Sequence, residues 1–415
     1  MLSPEPSSNP NQIGEAVATE PTGSSRRDFL TGRAAQAEAA AALRATGDAL
    51  IDSMPADASV VPSAGATVRL QTRAMNCEFA VILNPGAPDE LAAASRALDL
   101  VHPLESQLTV YRSDSEMSRL NQLAASSPVT IEPQLFELLL RACQLSQETQ
   151  GAFDPTSGPL IALWNECRRA GRLPTSDEVD AARQRTGMAH VDFDAVQRTV
   201  RFDREGIELN LGAIGKGYAL DRIAARLVSG STSDDVARAP GNDWGAETDT
   251  IVDPPVMSFL LHGGHSSLIA RGDHKRTGGW PVGLRNPAFP TENMATLLLR
   301  DVAMATSGAG EQFSRIGGKR YGHILDPRTG WPADEVLSVT VLAPTAAEAD
   351  ALSTAFFVGG VEIARRYCDN RREVAALLTP QLRSGRTVEL WTLNIGDGMV
   401  FVAPGCQVTR LDRTT

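Results

Sequence analysis

Beyond about residue 66 apolar positions recur at strand and helix periods, and before it they do not. Residues 67–72 and 78–83 alternate as two strands around a turn-like Arg73-Ala74-Met75-Asn76. Leu91, Leu98, Val101 and Leu108 fall near one face of a helix predicted over 88–108, which Pro103 should kink. The clearest helix runs over 133–150, with Leu135, Leu138, Leu139, Ala142 and Leu145 at helical spacing and Gly151 as its stop. A charged helical stretch follows over 160–185, then strand pieces over 198–211 and a helix over 218–228. Strands are predicted at 257–261, 267–271, 280–284, 295–303 and 337–342. A helix over 346–358 and a further segment at 361–368 precede strands at 374–379, 387–393 and 399–403. Strands and helices come in runs rather than in strict alternation, which predicts an α+β fold.

Two stretches lack this texture. Residues 1–65 read as a disordered leader, closed by an Ala-rich helix over 34–50. Within it, Ser25-Arg26-Arg27-Asp28-Phe29-Leu30 resembles a twin-arginine export motif. The apolar region that export needs is interrupted by Arg33, Gln36, Glu38 and Arg44, so a cytoplasmic protein is favoured over an exported one. Residues 229–255 are Ser, Thr, Asp, Gly and Pro with few large apolar side chains, and read as a polar inserted loop. The folded domain is therefore expected over 66–412.

Composition narrows the function classes. With 39 Lys and Arg against 50 Asp and Glu, the net charge of −11 argues against nucleic acid as a partner, though a local basic pocket for a phosphorylated small molecule remains open. Five cysteines, at 77, 143, 167, 368 and 406, include no C-x-x-C pair and read as buried thiols rather than a disulfide scaffold or zinc ribbon. No run of about 18 apolar residues exists, so no transmembrane segment is expected.

Three clusters carry chemistry. In Leu209-Asn210-Leu211-Gly212-Ala213-Ile214-Gly215-Lys216-Gly217-Tyr218 a strand ends in glycines and a lysine opens a helix. Glycines let backbone N–H groups approach an anion, and the helix N-terminus and Lys216 favour negative charge. The spacing fits neither a P-loop nor a dinucleotide fingerprint, and a tight turn with a surface lysine would explain it equally. In the second cluster Asp350 and Thr354 lie four apart on a predicted helix, hence one turn apart on one face. A carboxylate above a hydroxyl suits a hard cation such as Mg²⁺; an Asp answering the helix dipole is the plainer alternative. In the third, His323 precedes the turn Asp326-Pro327-Arg328-Thr329-Gly330 and has the titration range of a general base, although a lone histidine is more often structural.

Taken in order, these pieces resemble the FAD:protein FMN transferase (ApbE-like) family over about 75–358. The match begins with Leu108-Thr109-Val110-Tyr111 and Ser115-Glu116-Met117-Ser118-Arg119-Leu120-Asn121. It continues through Gly151-Ala152-Phe153-Asp154-Pro155, the Gly215-Lys216-Gly217-Tyr218 loop, Gly263-Gly264 and Thr306-Ser307-Gly308. His323-Ile324-Leu325-Asp326-Pro327-Arg328-Thr329-Gly330 and the Asp350-x-x-Ser353-Thr354 helix complete it.

The resemblance implies a two-lobed fold of mixed sheets and packed helices with the flavin site between the lobes. It implies an enzyme that uses Mg²⁺ to move the FMN half of FAD onto a Thr or Ser of an acceptor protein, releasing AMP. On the matching positions, Asp350, Thr354 and the carbonyl of Ala213 would hold the metal. Met75, Ala152, Phe153, Asp154, Asn210, Lys216 and the backbone near Leu325 would lie by FAD. His323 would be the base, with Lys216 also catalytic. The chain departs from the family at Asn210, where Asp is common, at His265 after the Gly-Gly pair, and in the glycine-rich 308–311 stretch. These departures keep two alternatives in view, an FAD pyrophosphatase yielding FMN and AMP, and a flavin-binding protein without turnover.

Overall fold

The computed structural model describes residues 66–86, 88–229, 256–308, 313–382 and 387–411. The leader with its export-like motif, nearly all of the polar insertion and residues 309–311 of the glycine-rich stretch lie outside the described residues.

A nine-stranded sheet organises the fold, and its strands lie side by side in chain order. They are β1 (Val68–Ala74), β2 (Cys77–Leu83), β3 (Phe259–Gly263), β4 (Ser267–Arg271) and β5 (Val302–Gly308), then β6 (Val336–Ala343), β7 (Ala375–Pro380), β8 (Val388–Leu393) and β9 (Cys406–Arg410). All neighbours are antiparallel except β8 and β9, so the sheet is mixed. The β1–β2 hairpin turns on Met75 and Asn76, both at positive φ (49° and 61°). That conformation matches strand twist, so pairing reaches Ala74 and Cys77 and the strands run closer to the turn than their alternation predicts.

Between β2 and β3 the chain makes seven described helices: α1 (Pro88–Leu98), α2 (Val101–Leu108), α3 (Glu116–Leu123), α4 (Pro133–Glu148), α5 (Gly158–Ala170), α6 (Ser176–Arg183) and α7 (Gly215–Ser229). The last helix, α8 (Ala346–Asn370), joins β6 to β7. One face of the sheet, including Phe79, Val81, Phe259, Leu261, Ala305, Val339 and Val341, shares a buried apolar cluster with Leu352, Ala355 and Phe356 of α8 and Ile223 of α7. The α8 helix, with α7 beside it, therefore fastens the helical region to the sheet.

Several predicted boundaries move for identifiable reasons. The helix expected over 88–108 breaks at Asp99-Leu100, ahead of Pro103, which sits in the first turn of α2 where its missing N–H costs nothing. The stretch over 160–185 divides at Gly171, a left-handed cap (φ 67°) that ends α5. The run at 295–303 is two strands, Asn293–Leu299 and β5, separated by Asp301 at φ 50° and placed in different sheets. Gly360 (φ 62°, ψ −159°) interrupts α8 between the two segments expected there.

Candidate functional site

The α7 helix begins three residues before Tyr218, and its first turn leaves N–H groups that no carbonyl inside the helix can accept. The Gly217 N–H, one of these, donates to Asp350 Oδ2 at 2.7 Å, while Gly215 N–H closes on the Leu211 carbonyl at 2.7 Å and Tyr218 N–H on the Ile214 carbonyl at 3.0 Å. Ala213 lies in the turn just before this helix start. Gly217 serves this contact in a way its sequence did not indicate: a Cβ there would collide with the Ala346 backbone of α8. Its missing side chain sets the distance between two helices, rather than opening a path to an anion.

Asp350 is buried, and its other oxygen accepts a 2.5 Å hydrogen bond from Ser267 Oγ on β4. Burial pushes its carboxyl above the usual carboxylate range, opposed by the Lys216 charge and the two hydrogen bonds. Lys216 Nζ donates to Ser266 Oγ at 2.6 Å, so the β3–β4 turn holds both the cation and the anion of the site. One turn along α8, the Thr354 hydroxyl lies 3.4 Å from Ser307 Oγ at the end of β5, while Ser353 Oγ lies 2.9 Å from the same atom.

The hairpin tip closes on this cluster. Met75 N–H donates to Glu105 Oε1 of α2 at 2.6 Å, and Cys77 feels the charges of Lys216, Asp350 and Glu105. Burial holds the Cys77 thiol up at about 11, so it stays protonated and inert at neutral pH. Cys77 packs against the Cα face of Gly264 (φ 63°), where any Cβ would meet its Sγ at 3.1 Å. The Gly-Gly pair thus makes room for the hairpin beneath the β3–β4 turn.

The remaining predicted residues lie on loops, and the strand expected over 198–211 is confined to Thr199–Phe202, so a turn rather than a strand leads into the glycine loop. Asn210 N–H donates to the Pro155 carbonyl at 2.6 Å and its Oδ1 accepts from Gly212 N–H at 2.9 Å, so Asn210 shapes the turn into α7. Asn121 clamps Leu209 through both backbone groups at 2.9 Å, which gives the Ser115–Asn121 motif a structural role. Ala152 and Phe153 bury their side chains in the main core, leaving only backbone for a ligand. Asp154 Oδ1 accepts from Thr156 N–H and Oγ, and burial raises its carboxyl. Leu325 is buried, Asp326 is held by Arg328 through two bonds of 2.8 and 2.9 Å, and His323 is exposed just before them.

Geometry therefore joins Lys216, Asp350 and Thr354 and brings the Ala213 carbonyl to the same helix start. Sequence reading missed Ser266, Ser267, Ser307 and Glu105. Of these, only Ser307 carried a signal, inside the Thr-Ser-Gly turn; a serine pair after a turn is too common to stand out. No group of three or more His, Cys, Asp or Glu side chains suited to a metal occurs among the described residues. A cation here would depend on one carboxylate with hydroxyl and carbonyl oxygens.

Comparison with known proteins adds an independent line. A sequence profile described as the ApbE family matches residues 65–242 and 252–378. The FAD:protein FMN transferase of Treponema pallidum is 32% identical over 293 residues, spanning 69% of this chain and 76% of the relative. That of Vibrio cholerae is 30% identical over 286 residues, spanning 68% and 77%. Among solved structures, the ApbE protein of Thermotoga maritima superposes with a TM-score of 0.62 at 26% identity, covering 76% of this chain and 95% of that one. The flavin transferase ApbE of Vibrio cholerae gives 0.63 at 26% identity, covering 79% and 97%.

Proposed function

The chain belongs to the ApbE family, and from that premise we propose that it is a Mg²⁺-dependent transferase moving the FMN moiety of FAD onto a Thr or Ser hydroxyl of a partner protein, with AMP released. The observation that carries this reading is the Asp350 carboxylate capping Gly217 N–H, which with the Ser267 and Ser266 bonds gathers the start of α7, Lys216 and Asp350 around one turn.

The donor set fits the ion. Asp350 keeps lone pairs beyond its two hydrogen bonds, Thr354 offers a hydroxyl, and Ala213 a backbone carbonyl just before the start of α7. These are hard oxygens, and a buried carboxylate held above its normal range gains from a cation beside it. When bound, Mg²⁺ would supply charge neutralisation on the pyrophosphate of FAD. Lys216, anchored by Ser266, adds positive charge to the same oxygens. Met75, Asp154, Asn210 and the segment at Leu325 line the approach by which the flavin half enters. His323, exposed, takes the proton from the acceptor hydroxyl as it attacks the FMN phosphorus in line, and AMP leaves with the pyrophosphate oxygen. We also place the protein in the cytoplasm, because charged residues follow its export-like motif; a reporter fusion that emerges outside the cell would reverse this.

The test mixes the protein with FAD, Mg²⁺ and threonine-bearing acceptor proteins, and reads the acceptor's mass together with released AMP. A gain equal to FMN less one water, with stoichiometric AMP, is expected. FMN and AMP in solution without modified protein would instead assign a pyrophosphatase, and stable FAD binding without AMP a flavin-binding protein.

A further inference from the structure

The chain leaves the site residue Ser307 at the end of β5 and returns at His323, and the described part of that excursion is a two-stranded hairpin, Phe313–Ile316 paired with Lys319–Gly322. The hairpin joins no larger sheet. Its sequence carries Arg315, Lys319 and Arg320 and no acidic residue, in a chain of net charge −11. All three cations are exposed, and none has a carboxylate partner among the described residues.

The register makes this arrangement costly. Arg315 and Arg320 stand directly opposite one another, on one face of the ribbon. Like charges in that position destabilise a strand pair, and an isolated two-stranded ribbon has little stability to spare. Both guanidinium groups lean on the exposed ring of Phe313, at 5.9 and 3.8 Å from its centroid, which orders them without neutralising them. On the other face Lys319 lies over Tyr321, whose ring contacts Trp164 of α5, so the ribbon is fixed to the body through that side. The Arg168 guanidinium reinforces the attachment by donating to the Gly322 carbonyl at 2.7 Å. One face is anchored, and the other presents two oriented, unneutralised forks suited to carboxylates.

We propose that the Phe313–Arg315–Arg320 face of this hairpin docks a carboxylate-rich segment of the acceptor protein, delivering its hydroxyl toward His323; the proposal rests on the transferase reading of the site. The hairpin is thus a specificity element, distinct from the residues that hold FAD.

The test measures fluorescence anisotropy of two labelled peptides, one with a threonine flanked by glutamates and one with glutamines in their place, against the full chain. Wild type is expected to bind the glutamate peptide about tenfold more tightly, with the preference shrinking as salt rises. R315Q/R320Q should erase the preference, while R315K/R320K should keep a smaller, salt-sensitive part of it, separating charge from fork geometry. Equal binding of both peptides, or a preference that survives in R315Q/R320Q, overturns the proposal. So does Arg-dependent binding to phosphatidylglycerol vesicles that the glutamate peptide fails to displace, which would assign the face to a membrane. Anisotropy needs no turnover, so failure here stays separate from failure of AMP release with FAD and Mg²⁺.

Discussion

At the scale of single residues, Asp350 carries the most consequence, because one carboxylate serves two elements. Its oxygens receive Gly217 N–H from α7 and Ser267 Oγ from β4. Asp350→Asn keeps an acceptor of the same shape and removes the charge. Transfer of FMN should fall roughly hundredfold or more, since the cation's contribution is several kcal/mol, while the far-ultraviolet circular dichroism stays unchanged. Undiminished turnover in that variant would remove Asp350 from the metal site. The one-turn spacing of Asp350 and Thr354 was legible in sequence because a helix period places both without knowledge of the rest, and Lys216 stood out through its glycine neighbours. Ser266 and Ser267 were not, because their value comes only from which side chains the sheet sets across from them.

At the scale of elements, the contact between the start of α7 and the start of α8 decides the geometry of the site. Asp221 of α7 accepts from the N–H groups of Ala346 and Ala347 at 2.8 and 2.9 Å, and Thr345 caps the same end through Glu348 N–H. Burial pushes the Asp221 carboxyl up to about 6, against the pull of those two donors. Its folded value lies above its unfolded one, so the native state holds this proton more tightly. This group's share of stability is therefore present below about pH 4 and is lost as pH rises toward 6. The Tm of Asp221→Asn relative to wild type should climb across that window and level off above it; a pH-independent difference would contradict the assignment. Gly217→Ala presses a methyl into the Ala346 backbone, where neither helix can give way cheaply. A loss of about 1–3 kcal/mol in urea unfolding is expected, together with weakened FMN transfer. A variant as stable as wild type would mean that the two helices are not held at this spacing.

At the scale of the whole molecule, the sheet assembles in chain order, yet the site draws on β4, β5, α7, α8 and the β1–β2 turn, which are far apart in sequence. Ligands that bind only this assembled state should raise Tm. Mg²⁺ or FAD alone at about a hundred times its dissociation constant should add about 2.7 kcal/mol, and the two together more than the sum of the separate shifts. Additive or absent shifts would argue that the two do not share a pocket. Among the described residues no helix is long and apolar enough to cross a membrane.

The sequence by itself determined the α+β class, most element centres and the family resemblance, because periodicity and motif order are local properties of a chain. It could not determine that residues 293–308 split between two sheets, since a continuous apolar run hides a single left-handed Asp301. Nor could it reveal that Gly217 spaces two helices and surrenders its N–H to Asp350, or that Arg315 faces Arg320 across a ribbon. Those facts depend on which distant backbone arrives opposite a residue, and pairing of that kind exists only once the chain has packed.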